Sequence, residues 1–342
     1  MSALQDAQPG IEAIEYWLPD QVVSNEDLAR EFCDWDPKKA WRATGIRERR
    51  VGPEPASDMA VQAAEKLFSL HSVDRSSIDF LLLVTQSRDY PMPATACIVQ
   101  DKLGLPTSCG ALDVTLGCSG YVYGLFMAKA LLALGGCRRV LLITVEKISH
   151  LHPADRSTRV LLGEGATATL LSASNPIASI GNFDLGTDGR GYANLFVPAG
   201  GTALPHSPET ARSVVDPAGN VHSQDTLFMD GMEIFSFSVR EAPKTFRAAL
   251  EKNGMTREDV ALFVFHQANR MILETLRAKL DIDPSRFCID LERVGNTSSC
   301  SIPIALRDRM DALKPGDNVL LCGFGIGYSW GSTVLKWRRS HD

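Results

Sequence analysis

The chain has 342 residues, 44% of them hydrophobic and 22% charged, enough apolar material for one large core or two medium ones. A formal net charge of −6, with no basic run beyond Arg47-Glu48-Arg49-Arg50, argues against a nucleic-acid partner. No apolar run approaches the ~20 residues of a membrane span. The start, Met1-Ser2-Ala3-Leu4-Gln5-Asp6, lacks the basic beginning and apolar core of a signal peptide, so the cytoplasm is the expected compartment.

In chain order the hydrophobic pattern predicts a helix over 58–70, a strand over 80–85 and a helix over 94–104. An apolar run, Leu112-Asp113-Val114-Thr115-Leu116, leads into the turn Gly117-Cys118-Ser119-Gly120 and a helix over 119–135. A strand follows at 140–145. Further on come a helix over 231–253, a strand over 262–265, helices over 269–280 and 301–313, and a strand over 319–322. Alternation of this kind belongs to an α/β fold. The eight cysteines (Cys33, Cys97, Cys109, Cys118, Cys137, Cys288, Cys300 and Cys322) form no Cys-x-x-Cys pair and no zinc-type cluster, so neither a metal site nor a disulfide framework is expected.

The elements recur. Val73-Asp74-Arg75-Ser76-Ser77-Ile78 leads into the strand at 80–85, as Met255-Thr256-Arg257-Glu258-Asp259-Val260 leads into that at 262–265. Gly136-Cys137-Arg138-Arg139 precedes Val140 as Pro315-Gly316-Asp317-Asn318 precedes Val319. A shared offset of roughly half the chain points to two duplicated βαβ-type halves, 1–180 and 181–342. Ligands of such sheets collect where strands end and helices begin. The first half offers Cys118 there, and the second offers His266 and Asn296.

Each of these residues has two readings. Cys118 is a buried structural cysteine, or a nucleophile whose thiolate the helix N-terminus favours. His266, ending an apolar strand in Phe265-His266-Gln267-Ala268-Asn269, is a satisfied core histidine or a site residue. Asn296, in Val294-Gly295-Asn296-Thr297-Ser298-Ser299, is a helix cap or a donor at a turn. Phe324-Gly325-Ile326-Gly327-Tyr328-Ser329-Trp330-Gly331 adds a glycine-spaced loop able to turn N–H groups towards an oxyanion. It has neither phosphate-loop nor dinucleotide spacing. Together they suit acyl transfer to Cys118 and stabilisation of an enolate by His266 Nε2 and the Asn296 amide. A cysteine–histidine ion pair for hydrolysis fits less well.

With these motifs in view, the sequence resembles the β-ketoacyl-acyl-carrier-protein synthase III family of thiolase-fold condensing enzymes over nearly its whole length. The matching segments are Thr44-Gly45-Ile46-Arg47-Glu48-Arg49, Gly117-Cys118-Ser119-Gly120, Gly163-Glu164-Gly165-Ala166, His266-Gln267-Ala268-Asn269, Gly295-Asn296-Thr297-Ser298 and the loop from Phe324 to Gly331. The resemblance implies a five-layered αβαβα thiolase-like fold. It further implies an acyl group carried on Cys118, decarboxylation of a malonyl thioester promoted by His266 and Asn296, and an oxyanion hole from the backbones of Cys118 and Ile326. No bound cofactor or metal is implied; coenzyme A and acyl-carrier phosphopantetheine thioesters are the substrates. A homodimer is expected, with Met92 of one subunit bordering the other's acyl pocket.

The resemblance also has departures. Lys39 and Ala43 stand where the family has an adenine-sandwiching Trp and Arg, with Trp41 and Arg42 nearby but out of register. These two, with Arg156 and Asn269, are the candidate coenzyme A or substrate contacts. Met271 and Ser236 replace basic residues expected to touch the carrier protein, and Arg270 sits one place early. Two alternatives remain: transfer of the acyl group to an alcohol or amine, and a non-catalytic acyl- or carrier-binding subunit.

Overall fold

The computed structural model describes residues 8–32, 35–147, 151–174, 176–217 and 219–339; the Met1–Asp6 segment and Cys33 lie outside the described residues. Strand β1 (Gly10–Trp17) is followed by β2 (Phe80–Val84), β3 (Gly110–Val114), β4 (Arg139–Glu146), β5 (Gly165–Ser172) and β6 (Ala178–Thr187). β7 (Leu262–Phe265), β8 (Asn318–Gly325) and β9 (Ser329–Trp337) complete a nine-stranded sheet in the order β7-β8-β9-β6-β1-β5-β4-β2-β3.

That order reads alike from both ends. β2 pairs in parallel with β3 and β4, β4 antiparallel with β5, and β5 antiparallel with β1. On the other side β7 pairs in parallel with β8, β8 antiparallel with β9, and β9 antiparallel with β6. The counterpart of β3 has shrunk to a single parallel bridge, Phe263 with Phe287. The two sets join where Gly10 pairs with Ser179 and Ile11 with Ala178.

Strand periodicity sets the layers. Leu81 and Leu83 pack with the apolar faces of α1 (Ala56–Leu70) and α2 (Thr95–Lys102), whereas Leu82 and Val84 face the other way onto α3 (Gly120–Ala133). In the second half Phe263 and Phe265 face α4 (Gly231–Lys252) and α5 (Arg270–Lys279), and Val264 faces the middle with α6 (Ser301–Arg307). Helices α3 and α6 therefore form a central layer between two sheet regions, with α1/α2 and α4/α5 outside. This is the αβαβα arrangement. Helix α3 is apolar nearly all round because both its faces meet a sheet.

One helix is shorter than its periodicity predicts. α6 stops at Arg307, and Met310–Ala312 forms a separate 3-10 turn. Met310 and Leu313 lie three residues apart, so the tighter turn buries both.

A carboxylate is buried where β1 meets α1 and α6. Glu15 contacts Lys66 at 3.1 Å, Arg307 at 3.0 Å and His71 at 3.5 Å. Burial alone would raise its pKa; hydrogen bonds from His71, Arg307 and Lys66 outweigh that and hold it at about 2, below the ordinary 4.5. A depressed folded pKa gives stability that is complete above the unfolded value and is lost as pH falls through the folded one. Glu15→Gln should therefore lower unfolding stability at pH 7 by about 3 kcal/mol. In urea titrations the gap to the unmodified protein should narrow steadily from pH 4.5 to pH 2.

Candidate active site

Cys118 lies between β3 and α3, and Asn296 lies between the Phe287 bridge and α6, so the two occupy matching strand-to-helix turns. His266 directly follows β7. Ser298 stands among them. Its Oγ is 3.7 Å from Cys118 Sγ, its N–H donates to Asn296 Oδ1 at 2.9 Å, and its backbone hydrogen-bonds the His266 ring. Ser298 has a left-handed backbone, φ 49, an unfavourable conformation for a residue with a Cβ.

The Asn296 turn is fastened from outside. Asn296 N–H donates to the Leu161 carbonyl at 2.8 Å, and Gly163 N–H donates to the Asn296 carbonyl at 3.0 Å. A Cβ on Gly163 would lie 2.0 Å from the Val294 carbonyl oxygen, so this segment of Gly163-Glu164-Gly165-Ala166 must be glycine to press against the turn. Because Asn296 Oδ1 accepts from Ser298, the Nδ2 group is left as the donor.

His266 is buried, with its ring edge-on to Phe324 at 5.7 Å. Its Nδ1 lies 2.7 Å from Ser301 Oγ, which also accepts the Gln267 N–H at 3.3 Å. The Ser301 hydroxyl proton then goes to Nδ1, and the ring proton is assigned to Nε2 from this network. Burial drives the imidazole pKa down to about 3, so the ring is neutral at ordinary pH.

Cys118 departs from expectation. The N–H groups of Ile326 and of Cys118 itself reach the sulfur, and the Ser298 hydroxyl supports the thiolate as well. Burial outweighs all three, and with Glu146 close by the thiol is pushed up to about 11. The sulfur is a thiol at neutral pH, not the thiolate predicted from the helix N-terminus. Protein atoms enclose it on almost every side, although solvent still reaches part of the residue.

Glu146 ends β4 in the same hollow. It accepts Ser299 Oγ at 2.8 Å, Ser298 Oγ at 3.4 Å and Ser87 Oγ at 3.3 Å, and burial raises its pKa to about 7. Sequence reading passed over Ser298, Ser301 and Glu146. The available signals were the serine inside Gly295-Asn296-Thr297-Ser298 and a carboxylate closing the apolar run Val140–Val145.

The other candidates lie apart from this centre. Trp41 carries the Arg47 guanidinium 4.3 Å and the Arg270 guanidinium 5.2 Å from its ring centroid, and both arginines pair with Glu292. Arg156 instead lies 5.3 Å over Phe32, beside Arg159. Arg42 is exposed, and Asn269 Oδ1 caps α5 by accepting the Ile272 N–H at 2.9 Å. Met271 and Met92 project outward, Met92 with 82% exposure. Among the described residues no group of three His, Cys, Asp or Glu side chains could hold a metal ion, and no helix is long and apolar enough to cross a membrane.

Comparison with known proteins identifies this architecture. The profile of the 3-oxoacyl-[acyl-carrier-protein] synthase III family matches residues 112–189, and that of its C-terminal part matches residues 250–337. The β-ketoacyl-[acyl-carrier-protein] synthase III of Caldanaerobacter subterraneus subsp. tengcongensis is 35% identical, covering 96% of this chain and 98% of the relative. The chain belongs to the β-ketoacyl-acyl-carrier-protein synthase III family. A solved 3-oxoacyl-(acyl-carrier-protein) synthase III superposes with a TM-score of 0.93 at 44% identity, covering 96% of this chain and all of that one. A 3-oxoacyl-(acyl-carrier protein) synthase from Burkholderia xenovorans LB400 gives 0.88 at 35% identity, with 97% and 95% covered. The fold is the thiolase fold of these synthases, and the chain is a condensing enzyme of their type.

Gly325 offers a direct test of the packing at the sulfur. A Cβ there would lie 2.6 Å from Cys118 Cβ and 2.9 Å from Sγ. Gly325→Ala should displace the thiol and slow iodoacetamide alkylation of Cys118, read by peptide mass spectrometry, by at least about tenfold. Overpacking should cost about 1–3 kcal/mol of stability.

Proposed function

We propose that Cys118 accepts an acyl group from a coenzyme A or carrier-bound thioester. The backbone N–H groups of Cys118 and Ile326 hold the tetrahedral oxyanion. A malonyl thioester then places its carbonyl oxygen between His266 Nε2 and Asn296 Nδ2. These two neutral donors stabilise the enolate as carbon dioxide leaves, and the enolate carbon attacks the acyl-Cys118 thioester.

The observation that carries this reading is the neutral, buried His266 beside an asparagine with its Nδ2 left to donate. A hydrolase that pairs thiolate with imidazolium needs a histidine that protonates near neutrality. His266, with a pKa of about 3, cannot supply that cation. It suits an oxygen that gains charge during decarboxylation.

The reading extends to the assembly. β3 is the outer strand of the sheet, none of its residues is fully buried, and Phe126 of the adjoining α3 is exposed. An unpaired edge strand beside an apolar helix suits pairing with a second copy of the chain. Met92, on the loop before α2, would then border the partner's acyl pocket, where a flexible thioether admits chains other than acetyl. Arg42, Trp41, Arg156 and Asn269 are proposed contacts for the substrate's nucleotide and pantetheine, and the enzyme would work in the cytoplasm.

Incubation with an acyl-CoA and radiolabelled malonyl-carrier should release labelled carbon dioxide. If the acyl group loads onto Cys118 and no malonyl donor releases carbon dioxide, the condensation reading fails. Cys118→Ala should abolish acyl-enzyme formation in intact-protein mass spectrometry. Cys118→Gln, an imitation of the acylated cysteine, should still decarboxylate malonyl-carrier but form no condensation product. Sedimentation at micromolar concentration should give the mass of a dimer.

A further inference from the structure

The acyl-loading step leaves one proton unaccounted for. Cys118 is a thiol, and its proton has to leave the sulfur as the thioester carbon is attacked. His266 is poorly suited to take it, being neutral in a buried site where a cation is disfavoured. Among the described residues, the hydroxyl hydrogen-bonded to the Cys118 sulfur belongs to Ser298, at 3.7 Å, and it also lies 3.4 Å from Glu146 Oε1.

We propose that Glu146 accepts the Cys118 proton through Ser298 during acyl transfer. As the S–C bond to the acyl carbon forms, the Cys118 S–H bond breaks and its proton moves to Ser298 Oγ. The Ser298 proton moves at the same time to Glu146 Oε1. When the C–S bond to pantetheine breaks, the departing thiolate takes a proton back along the same path, so the relay ends as it began. Ser298 touches the reacting sulfur; Glu146 is a positioning residue acting through it.

The surroundings hold the relay in one direction. The Ser298 N–H is spent on Asn296 Oδ1, which fixes the residue in its left-handed turn. Ser299 donates to Glu146 Oε1, the oxygen that Ser298 also reaches, and Ser87 lies at Oε2, so the carboxyl is held from both of its oxygens. Among the described residues, the titratable groups facing it are Cys118, from the start of α3, and Cys300, from the 3-10 turn before α6. Lys147, its chain neighbour, is turned towards Glu164 and the Gly52 carbonyl. Among the described residues no cation therefore neutralises Glu146 directly. Burial lifts its pKa to about 7, where a carboxyl can both accept and return a proton at neutral pH.

The inference rests on acyl loading at Cys118 as proposed above, and two probes separate its failure from the failure of that reading. Single-turnover acylation by acetyl-, butyryl- and octanoyl-CoA would be followed by intact-protein mass spectrometry across pH 5.5–9, alongside iodoacetamide alkylation. Glu146→Gln keeps the shape of the side chain and one oxygen able to accept from Ser298 and Ser299. It should slow acylation at pH 7.5 by about a hundredfold and remove the inflection near pH 7 expected of the unmodified enzyme. Alkylation should not fall, because removing a nearby negative charge makes the thiolate easier to form. Ser298→Ala should slow acylation as strongly, with a much smaller fall in alkylation because it loses only one of the groups that support the thiolate, and it carries the test alone if Glu146→Gln does not fold. Acylation within about threefold of the unmodified enzyme would overturn the relay, as would a fall in alkylation as large as the fall in acylation. No acylation of the unmodified enzyme by any of the three thioesters would sink the loading step itself.

Discussion

The hydrogen bond from Ser298 N–H to Asn296 Oδ1 is the small constraint on which the site depends. It closes a turn tight enough to force Ser298 into a left-handed backbone, a conformation that persists only where its surroundings over-determine it. Those surroundings are the Leu161 and Gly163 backbone on one side and the side chain of Arg49 packed against Gly163 and Gly295. Arg49 is fully buried with no carboxylate partner among the described residues, its guanidinium donating to the carbonyls of Val23 and Val160 and to Asn25 Oδ1. A buried arginine of that kind is costly to desolvate. Here it ties the amino-terminal segment, the 160–163 segment and the asparagine turn into one unit.

Once the turn is set, the electrostatics of the hollow follow from burial without countercharge. Cys118 is moved towards the thiol, His266 towards the neutral imidazole and Glu146 towards the carboxylic acid. All three shifts have desolvation as their largest cause, and all three favour the uncharged form. A site that keeps its resting groups neutral is suited to charge that appears only in the transition state. Fixed N–H donors then act on an oxyanion or enolate in a low dielectric, without first breaking an ion pair. A cysteine–histidine ion pair would reverse this logic, and the environment of His266 does not allow it.

The alternation of strand-like and helix-like runs made the α/β class legible in the sequence, and the resemblance to the family implied the five layers. Alternation at Leu81, Leu82, Leu83 and Val84 places strand residues on two buried faces, and the all-round apolar character of 120–133 marks a helix with a sheet on each side. The duplicated lead-in segments pointed to two similar halves, and the structure added the palindromic strand order. Short-range patterns fell short in three places. The end of α6 depends on a tertiary choice between helical and 3-10 spacing for Met310 and Leu313. The protonation of Cys118 depends on burial supplied by residues far along the chain, which outweighs the local helix N-terminus. Ser298 and Glu146 were missed for the same reason: they are 152 residues apart and acquire meaning only when the strand end and the turn meet.

Duplication explains why such distant residues meet, and divergence explains why they do different chemistry. Equivalent strands end on the same side of equivalent helices, so the turns before α3 and α6 come together about the pseudo-symmetry of the sheet. In the first half that turn carries a thiol, and the adjoining end of β2 carries Thr85 and Gln86. In the second half the turn carries Asn296, and the adjoining end of β7 carries His266. The sheet region of one half thus presents the group that makes and breaks a covalent bond. The other presents two neutral donors, and neither half holds a complete set. Glu146 crosses that division, because it ends a first-half strand yet is held by the serines of the second-half turn. A pseudo-symmetric scaffold built from two copies of one unit therefore generates an asymmetric centre by placing unlike residues at like positions.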